Sequence, residues 1–223
     1  MSLPSSRFYG RRKGRPLHKR KSQLLADNLA RFAITLPAQK SLDPKTLFDV
    51  QPDHIFLEIG FGGGEHLAAQ AARNPSTGFL GCEPFLNGIA SLLDHIDRNE
   101  IKNVRIFPDD ARHVLDALPD ASIARCFVLF ADPWPKARHA ERRFIGPENI
   151  PRLARVLKSG AELRLATDDM NLANWMHDHM TAAQEFTVIY DQRDPPPDWI
   201  ATRYEGKALL DGRTPRYFSF QRG

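Results

Sequence analysis

Ile55-Phe56-Leu57-Glu58-Ile59-Gly60-Phe61-Gly62-Gly63-Gly64 runs a short apolar strand into a glycine-rich turn that opens a helix. In an open α/β sheet, ligands bind at such a place, beyond the carboxyl ends of the strands. Outward from it, strand and helix signals alternate. Strands are expected at His54–Ile59, Thr77–Cys82, Val104–Phe107, Ile123–Phe130 and Ala161–Ala166, and later at Phe186–Tyr190 and Arg216–Gln221. Helices are expected at Gly64–Arg73, Asn87–Arg98, near Ala111–Leu118 and Glu148–Leu157, and at Asn171–Ala183. Such alternation predicts a Rossmann-like α/β domain with a mostly parallel sheet and an antiparallel C-terminal edge strand. Two long loops are expected, from the fourth strand to about Pro147 and around Pro195-Pro196-Pro197.

The 223 residues suit one such domain over 22–223 with an extension in front. Residues 1–26 hold eight cations (Arg7, Arg11, Arg12, Lys13, Arg15, Lys19, Arg20, Lys21) and no acid, so the body is net acidic under an overall charge of +4. Residues 1–21 read as a flexible basic arm for a polyanion; charge alone leaves RNA, DNA and anionic lipid open. The arm is expected to leave cofactor binding alone, since the glycine loop lies beyond it. Ser22 is expected to cap a helix whose apolar side is Leu24, Leu25, Leu29 and Phe32. No apolar run reaches membrane-span length, and Cys82 and Cys126 fall in apolar strands, which predicts a cytoplasmic protein with reduced thiols.

A dinucleotide fingerprint needs a third glycine where Glu65 stands, and a carboxylate there would face pyrophosphate. Glycines at 60, 62 and 64 after Glu58 instead resemble the first motif of class I S-adenosylmethionine-dependent methyltransferases. Glu83 at the end of the second strand can accept both ribose hydroxyls. Asp110 after the third can accept from the adenine amine; Asp109 competes with it, or caps the next helix. After the fourth strand, Phe130-Ala131-Asp132-Pro133-Trp134-Pro135-Lys136 leads into Arg138, His139, Arg142 and Arg143, a basic run beside an aromatic that suits phosphate contact and base stacking. His66 and His139 are expected to be surface or helix residues.

The segments 57–62, 130–139, Ala166-Thr167-Asp168 and Thr202-Arg203-Tyr204-Glu205 resemble the bacterial tRNA (guanine-N7)-methyltransferase family, a likeness running from about residue 50 to the end. The resemblance implies transfer of a methyl group from S-adenosylmethionine to N7 of the variable-loop guanine of tRNA, leaving S-adenosylhomocysteine. It implies donor contacts from Glu58, Gly60, Gly62, Gly64, Glu83, Asp110 and Asp132, with Asp132 also the catalytic acid. Lys136, Arg138, Asp168, Thr202, Arg203, Tyr204 and Glu205 would hold substrate. Glu205 could read the guanine edge, or pair at the surface with Arg203 or Lys207. Where this chain has Pro135 the family often has histidine. No metal, membrane or obligatory protein partner is expected. The competing expectations are an exocyclic-nitrogen methyltransferase of DNA or RNA, suggested by Asp132-Pro133-Trp134, and a noncatalytic RNA-binding module.

Overall fold

The computed structural model of the chain describes residues 10–38 and 41–223, so Arg7 of the expected arm lies outside the described residues. Seven strands form one sheet: β1 His54–Ile59, β2 Thr77–Cys82, β3 Val104–Phe107, β4 Ile123–Leu129, β5 Leu157–Thr167, β6 Phe186–Gln192 and β7 Arg216–Arg222. Their spatial order is β3-β2-β1-β4-β5-β7-β6. The first five pair in parallel, while β7 runs antiparallel to both β5 and β6. The C-terminal strand is thus antiparallel, and β6 lies outside it at the sheet edge.

The helices are α1 Lys19–Phe32, α2 Glu65–Arg73, α3 Leu86–Arg98, α4 Ala111–Ala117, α5 Ile150–Val156, α6 Met170–Ala182 and α7 Arg203–Leu210. One apolar cluster lies with α1, α2 and α3, built on residues such as Phe79, Leu92 and Ile106. A second, around Leu153, Leu163, Leu172 and Met176, lies with α4, α5 and α6. Strands β1, β2 and β4 are almost wholly buried at their carboxyl ends, which is why their sequences are continuous apolar runs. Cys82 and Cys126 are buried free thiols, both pushed up by desolvation. No helix among the described residues is long and apolar enough to cross a membrane.

Three expectations need correction. α1 begins at Lys19 with His18 before it, so Ser22 lies inside the first turn. The reason is tertiary: Arg20 pairs with Asp94 and Asp97 of α3, and Lys21 Nζ donates to Ser91. Residues 10–21, expected to hang free, lie against α3. The loop around the triple proline also contains a helix, α7, closed at its N-terminus by a capping box from Thr202 and Glu205.

Candidate active site

The glycine loop is shaped by contacts from two other elements. Gly62 has φ of 55°, and a Cβ there would lie 2.7 Å from the Tyr204 ring of α7. Behind it, a Cβ on Gly88 would come within 2.2 Å of the Gly62 carbonyl oxygen. Gly88 therefore lets α3 approach the loop backbone directly. Gly64 occupies the position before α2 against Leu92.

Beyond the ends of β1, β2, β3 and β4 opens a cleft of about 460 Å³. Of the expected site residues, Gly60, Gly62, Glu83, Asp110, Asp132 and Tyr204 line it. Glu83 is 8 % exposed and accepts hydrogen bonds from Gly62 N (2.8 Å) and Phe85 N (2.9 Å). Burial still holds its carboxyl above the usual range, helped by the charges of Asp132 and Glu58 and opposed by those two N–H groups. Such a carboxylate, short of donors at the wall of a cleft, fits a pair of ribose hydroxyls.

Glu58 does not line the cleft. It is buried behind the loop with its Oε2 2.7 Å from His66 Nδ1. His66, a helix residue of α2 as one of its two expected placements had it, is likewise buried, its ring edge-on to Phe127. The pair braces the loop from the α2 side. Asp109 and Asp110 both border the cleft, and the capping role falls on Asp110. Its carboxylate accepts from Arg112 N at 3.0 Å and is gripped by the Arg112 guanidinium at 2.5 Å. Asp109 instead faces Arg12 at 2.7 Å.

Asp132 stands exposed on the opposite wall, between two residues in left-handed backbone, Phe130 (φ 52°) and Trp134 (φ 44°). Arg143 secures this turn by donating from Nε to the Pro133 carbonyl at 2.9 Å, while its guanidinium lies 5.1 Å from the Trp175 ring centre. Arg142 stacks over Trp134 at 5.1 Å, and His139 meets the same ring edge-on. Neighbouring Arg142, Arg138 and Lys136 add to desolvation in holding His139 below its ordinary pKa. Lys136 and Arg138 are exposed, outside the cleft lining, at the start of a 3-10 turn over Ala137–Arg142.

The third wall is α7. Glu205 is 5 % exposed rather than at the surface, and neither Arg203 nor Lys207 pairs with it. Its oxygens accept from Trp199 Nε1 (2.7 Å), Tyr217 Oη (2.6 Å) and Thr202 N (3.1 Å). A guanine edge would have to share these oxygens. Burial and the Glu205 carboxylate push the Tyr217 phenol well up. Tyr204, one residue before, projects over Gly62, and burial beside Glu83 raises its phenol too. Asp168, beyond β5, pairs with Arg213, which also holds Asp211. It does not line the cleft, nor do Gly64, Thr202 or Arg203.

Gly88, Trp199, Tyr217 and Arg213 carry no local mark in the sequence of the contacts they make here. Only α7 carried a readable local signal, since Thr202-x-x-Glu205 before Ala208-Leu209-Leu210 has the form of a capping box.

Comparison with known proteins bears on the family and the fold. A family model described as "Putative methyltransferase" matches residues 52–216. The tRNA (guanine-N(7)-)-methyltransferase of Rhodospirillum rubrum is 48% identical, the match covering 97% of this chain and 88% of that protein. The enzyme of the same name from Paramagnetospirillum magneticum is also 48% identical, over 97% and 92%. Among solved structures, the 16S rRNA methyltransferase KamB superposes with a TM-score of 0.59 at 15% identity, covering 78% of this chain and 89% of that one. TrmN from Thermus thermophilus gives 0.57 at 14% identity, over 77% and 45%. At such identities these two structures speak for the fold alone.

Proposed function

Since the chain belongs to the tRNA (guanine-N(7)-)-methyltransferase family, we propose that it transfers a methyl group from S-adenosylmethionine to N7 of a guanine in tRNA. The products are 7-methylguanosine in the RNA and S-adenosylhomocysteine. The observation that carries the reading is the facing of Glu83 and Asp132 across one cleft, where strand ends put a nucleoside-binding carboxylate opposite an exposed one.

The donor supplies an electrophilic methyl on a sulfonium sulfur. Guanine N7 has an in-plane lone pair and carries no hydrogen, so it can form the new N–C bond without prior proton removal. The S–C bond breaks, and its electron pair stays on sulfur as a neutral thioether. A general base is unnecessary, and alignment supplies most of the rate. As positive charge moves onto the guanine ring, the Asp132 carboxylate stabilises it. On the donor side, Glu83 takes the ribose hydroxyls, Gly60 and Gly62 let the loop pass close to the ligand, and Glu58 orients that loop through His66. Either of Asp109 and Asp110 reaches the adenine edge, and Asp109 has fewer of its lone pairs engaged within the protein.

On the acceptor side, Tyr204 separates the loop from the incoming base. Thr202, Arg203 and Glu205 shape that edge, Asp168 flanks it from β5, and Lys136 and Arg138 meet phosphates. The family likeness points to the variable-loop guanine as the target within tRNA. The protein works in the cytoplasm without a metal or an obligatory protein partner. Transfer from radiolabelled donor to bulk tRNA, followed by nucleoside analysis, tests the whole reading. Label in 7-methylguanosine is the expected result; label in an exocyclic-methylated base, or none, overturns it.

A further inference from the structure

The cleft has one wall that belongs neither to a strand end nor to an expected ligand-binding motif. Gly10 and Arg11 line it, together with Glu83 and Asp110. The segment 10–15 has no regular secondary structure of its own, so its position is set by named contacts. Arg12 supplies two of them. Its carbonyl accepts from Leu86 N at 3.0 Å, and its Nη2 donates to Asp109 at 2.7 Å. Asn87 supplies two more, accepting from Gly14 N at 2.8 Å and donating to the Arg15 carbonyl at 2.7 Å.

These contacts answer a local need of α3. Phe85 precedes the helix and offers no side-chain cap, so the first N–H of the helix would lack a partner. Arg12 provides it from outside. Gly14 permits the close approach, because a Cβ there would lie 2.7 Å from the Phe85 ring. Meanwhile Arg11, Lys13 and Arg15 are exposed along the same segment. One stretch of chain therefore walls the donor cleft on one side and presents cations to solvent on the other.

We propose that Arg12 and Asn87 are positioning residues of the donor site, fixing residues 10–15 as its closing wall and coupling donor binding to tRNA binding through them. The inference rests on the methyltransferase reading above and runs against the expectation that the arm leaves the cofactor site alone. Phosphates bound to Arg11, Lys13 and Arg15 hold the segment in place, so tRNA tightens the donor and the donor tightens tRNA by the same factor.

The test uses the full chain and S-adenosylhomocysteine as probe, titrated by calorimetry with and without saturating tRNA. Wild type should bind the probe about threefold more tightly when tRNA is present, a modest coupling for two sites sharing one segment. Arg12→Gln and Asn87→Ala should each raise the probe's Kd by roughly three- to tenfold, as expected for losing one exposed ion pair or two hydrogen bonds, and abolish the tRNA effect. Asn87 lies outside the cleft lining, so its variant separates placement of the wall from direct contact with Asp109. In wild type the probe should also slow trypsin cleavage after Arg11 and Lys13. Variants that bind like wild type, together with cleavage indifferent to the probe, overturn the coupling. A wild type that binds the probe and methylates tRNA in the same experiment leaves the methyltransferase reading standing when that happens; a wild type that does neither removes both.

Discussion

On the side assigned above to the donor, Glu58, Glu83 and Asp110 stand in or within three residues of the ends of β1, β2 and β3. Each is placed by the strand it follows and by contacts from its own neighbourhood, as when Glu83 takes the N–H groups of Gly62 and Phe85. The acceptor side is built differently. Asp132 sits in a turn fastened by Arg143, Tyr204 on a helix tethered by Glu205 to Trp199 and Tyr217, and Asp168 is paired with Arg213. A ligand of fixed shape can be met by regular structure, whereas a folded RNA is met by loops that have to be braced one by one.

If that division is sound, damage should stay on its own side. The largest effect is expected from Asp132→Ala. Turnover should fall about 10²- to 10³-fold, the usual loss when one group stabilising transition-state charge is removed, while S-adenosylhomocysteine affinity changes little. Single-turnover methylation checks it, and a rate near wild type would put the acceptor-side chemistry elsewhere. Glu83→Ala should act on the opposite side, weakening donor binding by about 1.5–3 kcal/mol through unpaired hydroxyls and a lost charge-assisted contact. Calorimetry reads this directly, and an unchanged Kd would take Glu83 out of the site.

A smaller effect tests the bracing. Trp199→Phe keeps an aromatic ring, smaller than the indole, but removes the N–H that Glu205 accepts, so stability should drop by about 1 kcal/mol or more and turnover with it. Donor affinity should hold. If donor affinity falls instead, α7 belongs to the donor side and the division fails.

The smallest effect is a shift in a pH profile. Glu83 is held above the ordinary carboxylate range, so donor affinity should be full above that raised pKa and lost as pH falls through it. Its linked effect on stability has the opposite sense. The folded state favours the protonated form, so stability from this group is greatest below the unfolded pKa and declines as pH rises through the folded one. Asp132 contributes to the raised value, so Asp132→Asn should move the binding midpoint to lower pH. A profile unmoved by that substitution would show that the two walls do not sense each other.

What could be read from the sequence follows the same division. Glycine spacing and acids at strand ends are short-range signals, enough for the fold and for where the cleft opens, which Gly60, Gly62, Glu83 and Asp110 line. Glu58 shows the limit, because its contact with His66 forms only when α2 folds against the sheet, which leaves no mark in the spacing of either residue. On the other side, Glu205, Trp199 and Tyr217 meet only because β7 inserts beside β5 and brings Tyr217 under the loop. The arm is a third case. A run of like charge predicts a solvated tail, yet Arg20 finds Asp94 and Asp97 on a helix more than seventy positions away.

Phe130 and Trp134 hold the turn around Asp132 in left-handed backbone, at a cost of order 1–3 kcal/mol each. Neither residue type is comfortable there, and glycine would be. Laboratory selection for heat tolerance alone would therefore be drawn to these two positions. The winners would keep their fold and surrender the aromatic ring on which Arg142 is stacked. A thermal-shift screen of this chain, run blind to activity, would drift toward a sturdier and duller protein.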